Sequence, residues 1–127
     1  FLAEAAFLAA RLPDRPHAVN LCADRYLALV GFAAALSRGQ TTLLCADRSP
    51  LRLRALADRY PDAHALADGP PLGDAAWPVM RPDALPGADT PEAAAPLIPA
   101  GRVAAIAFTS GSTGEAQAHA KPWGALV

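Results

Sequence analysis

Val103-Ala-Ala-Ile-Ala-Phe-Thr-Ser-Gly-Ser-Thr-Gly-Glu115 is the stretch that decides the fold and points to the chemistry of this chain. Its apolar half, residues 103–108, predicts a buried strand, because a short run containing Val, Ile and Phe is typical of one. Residues 109–114 are all glycine or hydroxyl amino acids, which supply hydroxyls, backbone N–H groups and two positions without a Cβ. At the end of a strand, this combination predicts a loop that wraps a phosphate.

Length and charge restrict what the chain can be. Its 127 residues suffice for one small core, and a content of 53% hydrophobic and 18% charged residues indicates a globular chain. The net charge of −1 gives no electrostatic reason to expect nucleic acid or an anionic membrane as a partner. We find no run of transmembrane length and no basic leader, and we expect a cytoplasmic protein without a membrane span. Because the chain lacks an initiator Met and stops just beyond the hydroxyl loop, we expect a segment of a longer protein.

Strands and helices alternate through the first half of the sequence. The predicted strands cover 17–22, 41–45 and 63–67, and the predicted helices cover 1–12, 24–38 and 49–60. Asp24 and Ser49 are the expected N-caps, and Gly39 is the expected stop of the second helix, which is apolar on most sides and should be heavily buried. The alternation predicts an α/β fold of three layers, with a mostly parallel sheet of Rossmann-like topology flanked by helices.

Residues 69–100 differ in composition from the rest of the chain and are predicted to form a proline-rich connector. Eight of the thirteen prolines lie there. Because proline lacks a backbone donor and fixes φ, long regular elements are not expected. Trp77 to Met80 predicts a short edge strand within this connector.

Other nucleotide motifs and metal sites do not fit the sequence. The first strand–helix turn, residues 21–25, has no glycine, although a dinucleotide-binding fold needs glycines there. Gly111 is not followed by the spaced Gly-Lys-Ser/Thr of a P-loop. Cys22 and Cys45 each end an apolar run and predict small buried thiols, and the three histidines are too scattered to indicate a metal site.

The run Phe-Thr-Ser-Gly-Ser-Thr-Gly at 108–114 resembles the phosphate-binding signature of the adenylate-forming superfamily, which includes acyl-CoA synthetases, peptide-synthetase adenylation domains and luciferases. The resemblance is strongest over residues 106–117 and looser over 17–68. It implies that residues 1–127 are part of the family's large N-terminal domain, with the remainder of the parent chain completing it. Residues 118–127 are similar to acyl-CoA-synthetase-like proteins found beside fatty-acid-type and polyene biosynthetic enzymes.

The resemblance also implies a reaction. A carboxylic acid and ATP, assisted by Mg²⁺, give an acyl-adenylate and pyrophosphate. The acyl group then passes to the thiol of CoA or to the phosphopantetheine of an acyl carrier protein. We expect residues 1–127 to be inactive alone, because they contain no candidate catalytic residue and no acid-binding pocket.

Specific residues are implied to bind the ATP phosphates. By position in the family's loop they are Thr109, Ser110, Gly111, Ser112, Thr113 and Gly114. The family's proline and lysine after the second glycine are replaced here by Ala116 and Gln117, and Gln117 can hydrogen-bond a phosphate but brings no charge. Lys121 either substitutes for that lysine or is an ordinary surface residue, and His119 is either a loop residue or a phosphate neighbour.

Gln117 also motivates a different function. The parent protein could keep the fold and lose adenylation, serving as a non-enzymatic binding or scaffolding module. A third reading is an unrelated phosphotransferase with a convergent loop, which would bind a nucleotide without forming an acyl-adenylate.

Overall fold

A computed structural model of the protein describes residues 1–45, 48–69, 77–84, 95–110 and 116–126. Three α-helices lie in this part of the chain: α1 (Leu2–Ala9), α2 (Arg25–Ser37) and α3 (Pro50–Arg59). The strands are β1 (His17–Asn20), β2 (Thr41–Leu44), β3 (Ala63–Leu66), β4 (Val79–Met80), β5 (Val103–Ser110) and β6 (Ala116–Pro122). Short 3₁₀ turns cover Pro82–Ala84 and Trp123–Ala125.

The strands form one sheet in the order β4-β3-β1-β2-β5-β6. Strands β1 to β5 are parallel to their neighbours, and only β6 runs antiparallel, against β5. The prediction of a mostly parallel α/β sheet is therefore confirmed. β1 lies between β2 and β3, which is the second common order of doubly wound sheets, and the strand order changes direction between β1 and β3.

Two apolar clusters cover opposite faces of the sheet, because successive residues of a strand point to opposite sides. On one face, α1 and α2 pack on Ala18 of β1 and Leu66 of β3. On the other face, α3 packs on Val19 of β1 and Leu43 of β2. This arrangement is the three-layer packing that the sequence predicts.

The predicted helix boundaries have the expected chemistry. The Asp24 side chain accepts the Leu27 N–H at 3.0 Å, and the Ser49 hydroxyl accepts the Arg52 N–H at 3.4 Å. Each cap satisfies a backbone donor that has no partner inside its own helix. Gly39 follows α2 with a φ of 75°, a conformation that glycine adopts without steric cost.

Helix α2 differs from the expectation of burial on most sides. Its Tyr26 and Leu29 are 44% and 58% exposed. The helix packs on α1 and on the sheet with its other side, where Val30 and Ala34 are fully buried, and the exposed Tyr26 hydroxyl donates to Glu4 of α1 at 2.8 Å. No helix in the described ranges is long and apolar enough to cross a membrane.

Candidate phosphate-binding site

The hydroxyl-rich stretch connects the two strands of a β-hairpin. β5 and β6 pair without interruption from Ala105↔Lys121 up to Ser110↔Ala116. Five residues, 111–115, join the two strands beyond that last pair. Because β5 is parallel to β2, the end of β5 at Ser110 lies at the carboxyl edge of the parallel strands, which is where α/β sheets bind their ligands.

The predicted site residues divide between strands and loop. Thr109 and Ser110, predicted as the start of the loop, are the last two residues of β5 and pair with Gln117 and Ala116. The predicted strand end at Phe108 was therefore two residues short, because pairing with β6 extends the ladder. The predicted site residues Gly111, Ser112, Thr113 and Gly114 lie outside the described residues.

β6 was not predicted, although its sequence carries a strand signal. Residues 116–121 alternate alanine with Gln117, His119 and Lys121, which is the period-two pattern of a strand with one polar face. This alternation does not by itself predict a strand, because alanine is a weak apolar marker and has a low strand propensity. In the hairpin, Ala118 and Ala120 share a face with Phe108 and Ile106, and the three polar side chains share the other face.

The register separates the two candidate replacements for the missing lysine. Gln117 pairs with Thr109 beside the loop, whereas Lys121 pairs with Ala105 at the other end of the hairpin. Four residues of strand place their Cα atoms about 13 Å apart. Gln117 and Lys121 therefore occupy opposite ends of one polar face. His119 lies between them, opposite Ala107.

At a second position on the carboxyl edge, between β1 and β3, backbone N–H groups already bind a carboxylate of the chain itself. The Asp68 carboxylate, just after β3, accepts the N–H groups of Ala23 and Asp24 at 2.9 and 2.8 Å. These hydrogen bonds hold the pKa of Asp68 below its ordinary value. The glycine-free turn after β1 thus has its free amides occupied by a carboxylate, which leaves them unavailable to a phosphate.

Two arginines support this closed turn. Arg48 Nη1 donates to the Leu21 carbonyl at 3.1 Å. Arg81 donates to the Gly69 and Asp68 carbonyls at 2.7 and 3.2 Å and forms an ion pair with Asp83 at 2.9 Å. No sequence motif marks Asp68, because its partners lie more than forty residues earlier in the chain and meet it only through the pairing of β1 with β3.

The cysteines and metal-ligating groups supply no second site in the described residues. Cys22 and Cys45 form no disulfide with each other, and Cys22 is buried as predicted while Cys45 is half-buried. Burial, with the nearby Asp68 carboxylate, raises the pKa of the Cys22 thiol to about 12, which makes it a poor nucleophile. No group of three His, Cys, Asp or Glu side chains in the described ranges is arranged to hold a metal ion.

Comparison with solved structures gives the same fold in several enzymes. The chain superposes on o-succinylbenzoate CoA synthetase from Bacillus subtilis in complex with AMP, with a TM-score of 0.73 and 18% identity, over 97% of this chain and 34% of the other. It superposes on a malonyl-CoA ligase bound to methylmalonyl-CoA and AMP, with a TM-score of 0.70 and 23% identity, over 94% and 26%. The chain therefore shares the fold of these CoA-ligating enzymes.

A third structure fixes which part of these enzymes the chain corresponds to. The N-terminal subdomain of Klebsiella oxytoca NpsA, in complex with 3-hydroxybenzoyl-AMSN, matches with a TM-score of 0.71 and 21% identity, over 94% of this chain and 31% of the other. This chain covers 22% to 34% of the length of the matched structures, and it spans about a third of the NpsA N-terminal subdomain. The predicted resemblance is confirmed at the level of fold. No family model and no curated protein sequence matches the chain.

Proposed function

We propose that this chain is the phosphate-binding part of an enzyme that activates a carboxylic acid with ATP. A carboxylate oxygen attacks the α-phosphorus, the bond from that phosphorus to the β-phosphate bridge breaks, and pyrophosphate leaves. The thiol of CoA or of a carrier-protein phosphopantetheine then attacks the acyl carbonyl and AMP leaves. Such an enzyme uses ATP and a cytoplasmic acyl acceptor, which supports a cytoplasmic location.

The observation that carries this proposal is the placement of the hydroxyl-rich stretch. Its first two residues, Thr109 and Ser110, end β5 and pair with Gln117 and Ala116 of β6, at the carboxyl edge of a sheet whose fold is shared with AMP-forming ligases. At another turn on this edge, after β1, the N–H groups of Ala23 and Asp24 are already bound by the Asp68 carboxylate. Both facts favour nucleotide binding at the hairpin.

The proposed roles of the residues follow from their chemistry. Hydroxyls and backbone N–H groups of residues 109–114 donate to the β- and γ-phosphate oxygens and orient the triphosphate for attack at the α-phosphorus. Gly111 and Gly114 allow the backbone to approach the phosphates closely. Gln117, beside Thr109, donates an amide hydrogen without adding a positive charge. Mg²⁺ would bind the ATP phosphates and help to neutralise the leaving pyrophosphate.

The test is ATP–pyrophosphate exchange by the full-length protein. The panel contains fatty, aryl, dicarboxylic and amino acids, since this chain does not itself mark one class. We expect exchange with at least one acid. Failure with every acid by a folded protein would refute the proposal and favour a binding or scaffolding module.

A variant pair tests the assigned residues. Ser110→Ala combined with Thr113→Val removes two hydroxyls and should lower kcat/KM for ATP at least tenfold, because each removed hydrogen bond to a charged group is worth about 1.5–3 kcal/mol. Ser37→Ala is the matched control, since that exposed hydroxyl on α2 donates to the Ala33 carbonyl at 2.8 Å, away from the hairpin. Unchanged kinetics in the double variant would contradict the phosphate role.

A further inference from the structure

The end of the hairpin that carries the hydroxyl loop extends past the strand that supports it. β2 pairs with β5 at Thr42↔Ala105, Leu43↔Ile106 and Leu44↔Ala107, and β2 ends there. The last residues of β5, 108–110, pair with β6 alone in the described part of the chain. Backbone pairing to the rest of the sheet therefore does not fix the direction of this end.

Phe108 is the side chain that joins the overhanging end to the body of the domain. It is half-buried and packs against the apolar cluster beneath α3, which includes Leu43, Leu53 and Leu56. It also directly precedes Thr109, the first hydroxyl residue. Its position therefore sets where the hydroxyl stretch begins.

Two residues at the end of α3 hold Phe108 from the side. The Tyr60 ring meets the Phe108 ring edge-to-face, with ring centroids 5.9 Å apart and planes at 72°. The Arg59 guanidinium carbon lies 5.6 Å from the Phe108 centroid and 5.6 Å from the Tyr60 centroid. Both geometries fall within the ranges in which aromatic pairs and cation–π pairs are attractive.

Tyr60 is itself held from several directions. Its carbonyl accepts the Trp77 indole N–H at 3.1 Å, and its own N–H donates to the Leu56 carbonyl at 2.8 Å. The His17 imidazole packs edge-to-face on its ring at 5.0 Å and is fixed in turn by Asp62 at 3.0 Å. A rigid Tyr60 can therefore transmit the position of α3 and β1 to Phe108.

We propose that Arg59 and Tyr60 are positioning residues for the phosphate loop, acting through Phe108. They hold the unsupported end of the hairpin in the direction that the loop needs, which reduces the ordering that must occur when a triphosphate binds. This inference rests on the proposed function for its consequence in catalysis, but the anchoring itself can be measured without any ligand.

The first measurement is hydrogen–deuterium exchange of backbone amides in the ligand-free protein, followed by NMR. Arg59→Gln removes the cation and should speed exchange about two- to fivefold for the amides of 108–110 and 116–118. This factor is the usual free energy of an exposed cation–π pair expressed as a ratio of exchange rates. Phe108→Leu removes both ring contacts and should speed exchange there about tenfold. Amides of 103–106 and 119–121, at the supported end, should change by less than twofold, which also confirms that each variant is folded.

Matched variants separate anchoring from general effects on α3. Arg54→Gln removes an exposed arginine from the same helix and should leave exchange at 108–110 unchanged. Arg59→Lys keeps the cation and Tyr60→Phe keeps the ring, and both should preserve slow exchange. In the Phe108→Leu background, Arg59→Gln should add nothing, because its effect passes through the ring that has been removed.

The catalytic readout uses ATP–pyrophosphate exchange by the full-length protein. Arg59→Gln should raise the KM for ATP about two- to fivefold and leave the KM for the acid unchanged. If the wild-type protein has no exchange activity, the proposed function fails, while the amide measurement still decides the anchoring. The anchoring is refuted if Arg59→Gln and Phe108→Leu leave exchange at 108–110 and 116–118 as slow as in the wild type. It is equally refuted if Arg59→Gln has the same effect with and without Phe108.

Discussion

Acidification should weaken the fold through His64, a fully buried histidine in the middle of β3. Its Nε2 lies 2.8 Å from Gln40 Oε1, and the Gln40 amide donates to the Pro13 carbonyl at 2.7 Å. Burial lowers the pKa of the His64 imidazole from 6.5 to about 4, and the positive charge of Arg15 acts in the same direction. The native protein therefore holds this imidazole neutral, with Nε2–H donating to Gln40.

The direction and size of the effect follow from the two pKa values. Above pH 6.5 the imidazole is neutral in both the folded and the unfolded chain, so it adds no pH dependence. Between pH 6.5 and about 4 the unfolded chain binds a proton that the native chain does not. The free energy of unfolding therefore decreases as the pH is lowered through this range. The loss from this one group is about 2.5 kcal/mol at pH 4.5 and approaches about 3.4 kcal/mol well below pH 4, at 1.36 kcal/mol for each pKa unit.

The assay is urea denaturation at pH 7.0 and pH 4.5 for the wild type and for His64→Gln. The variant is expected to be less stable at pH 7, since the replaced ring is fully buried, but its loss between the two pH values should be smaller by about 2.5 kcal/mol. NMR titration of the folded protein provides an independent check, in which the His64 ring signals should not shift above pH 5.5. Equal pH dependence in the two proteins, or a His64 titration near pH 6.5, would refute the reasoning.

Two stability predictions concern the ends of α2. Asp24→Ala removes the cap to the Leu27 N–H and should lower the free energy of unfolding, measured with urea, by about 1 kcal/mol. Asp24→Asn keeps a hydrogen-bond acceptor and should retain most of that stability. Equal losses of stability in both variants would argue against capping. Gly39→Ala places a side chain at a φ of 75°, where an added Cβ would lie 2.6 Å from Arg102 Nη1, and should cost at least 1 kcal/mol. The control is Gly69→Ala, which has no atom within 4 Å of its added Cβ, and a similar loss in both glycine variants would contradict the argument from backbone conformation.

The parts of the fold that can be predicted are those determined by residues close together in the sequence. The caps at Asp24 and Ser49, the stop at Gly39 and the short strands of the α/β alternation depend on neighbours along the chain. The parallel sheet follows from that alternation, because each helix carries the chain back to start a strand in the same direction. The hydroxyl-rich stretch could be located for the same reason, since it follows its strand directly.

The missed features depend on contacts distant in sequence. β6 forms because β5 offers an unpaired edge. The alternation of alanine with polar residues in β6 is by itself only a weak strand signal. Asp68 reaches the turn after β1 only through the pairing of β1 with β3. The exposed face of α2 was mistaken for buried because periodicity reports that residues are apolar, not that an element lies over them. The contact of Arg59 with Phe108 needs both the helix and the strand in place.

Two backbone hydrogen bonds close the base of the β5–β6 hairpin. The Trp123 N–H donates to the Arg102 carbonyl at 2.7 Å, and the Gly124 N–H donates to the Ala100 carbonyl at 2.8 Å. Gly124 leaves room for this contact, since a Cβ there would lie 3.0 Å from Ala100 Cβ. These hydrogen bonds fix the start of β5 against the end of β6, so the sequence of residues 111–115 can be exchanged while the register of the two strands is kept by contacts at the opposite end.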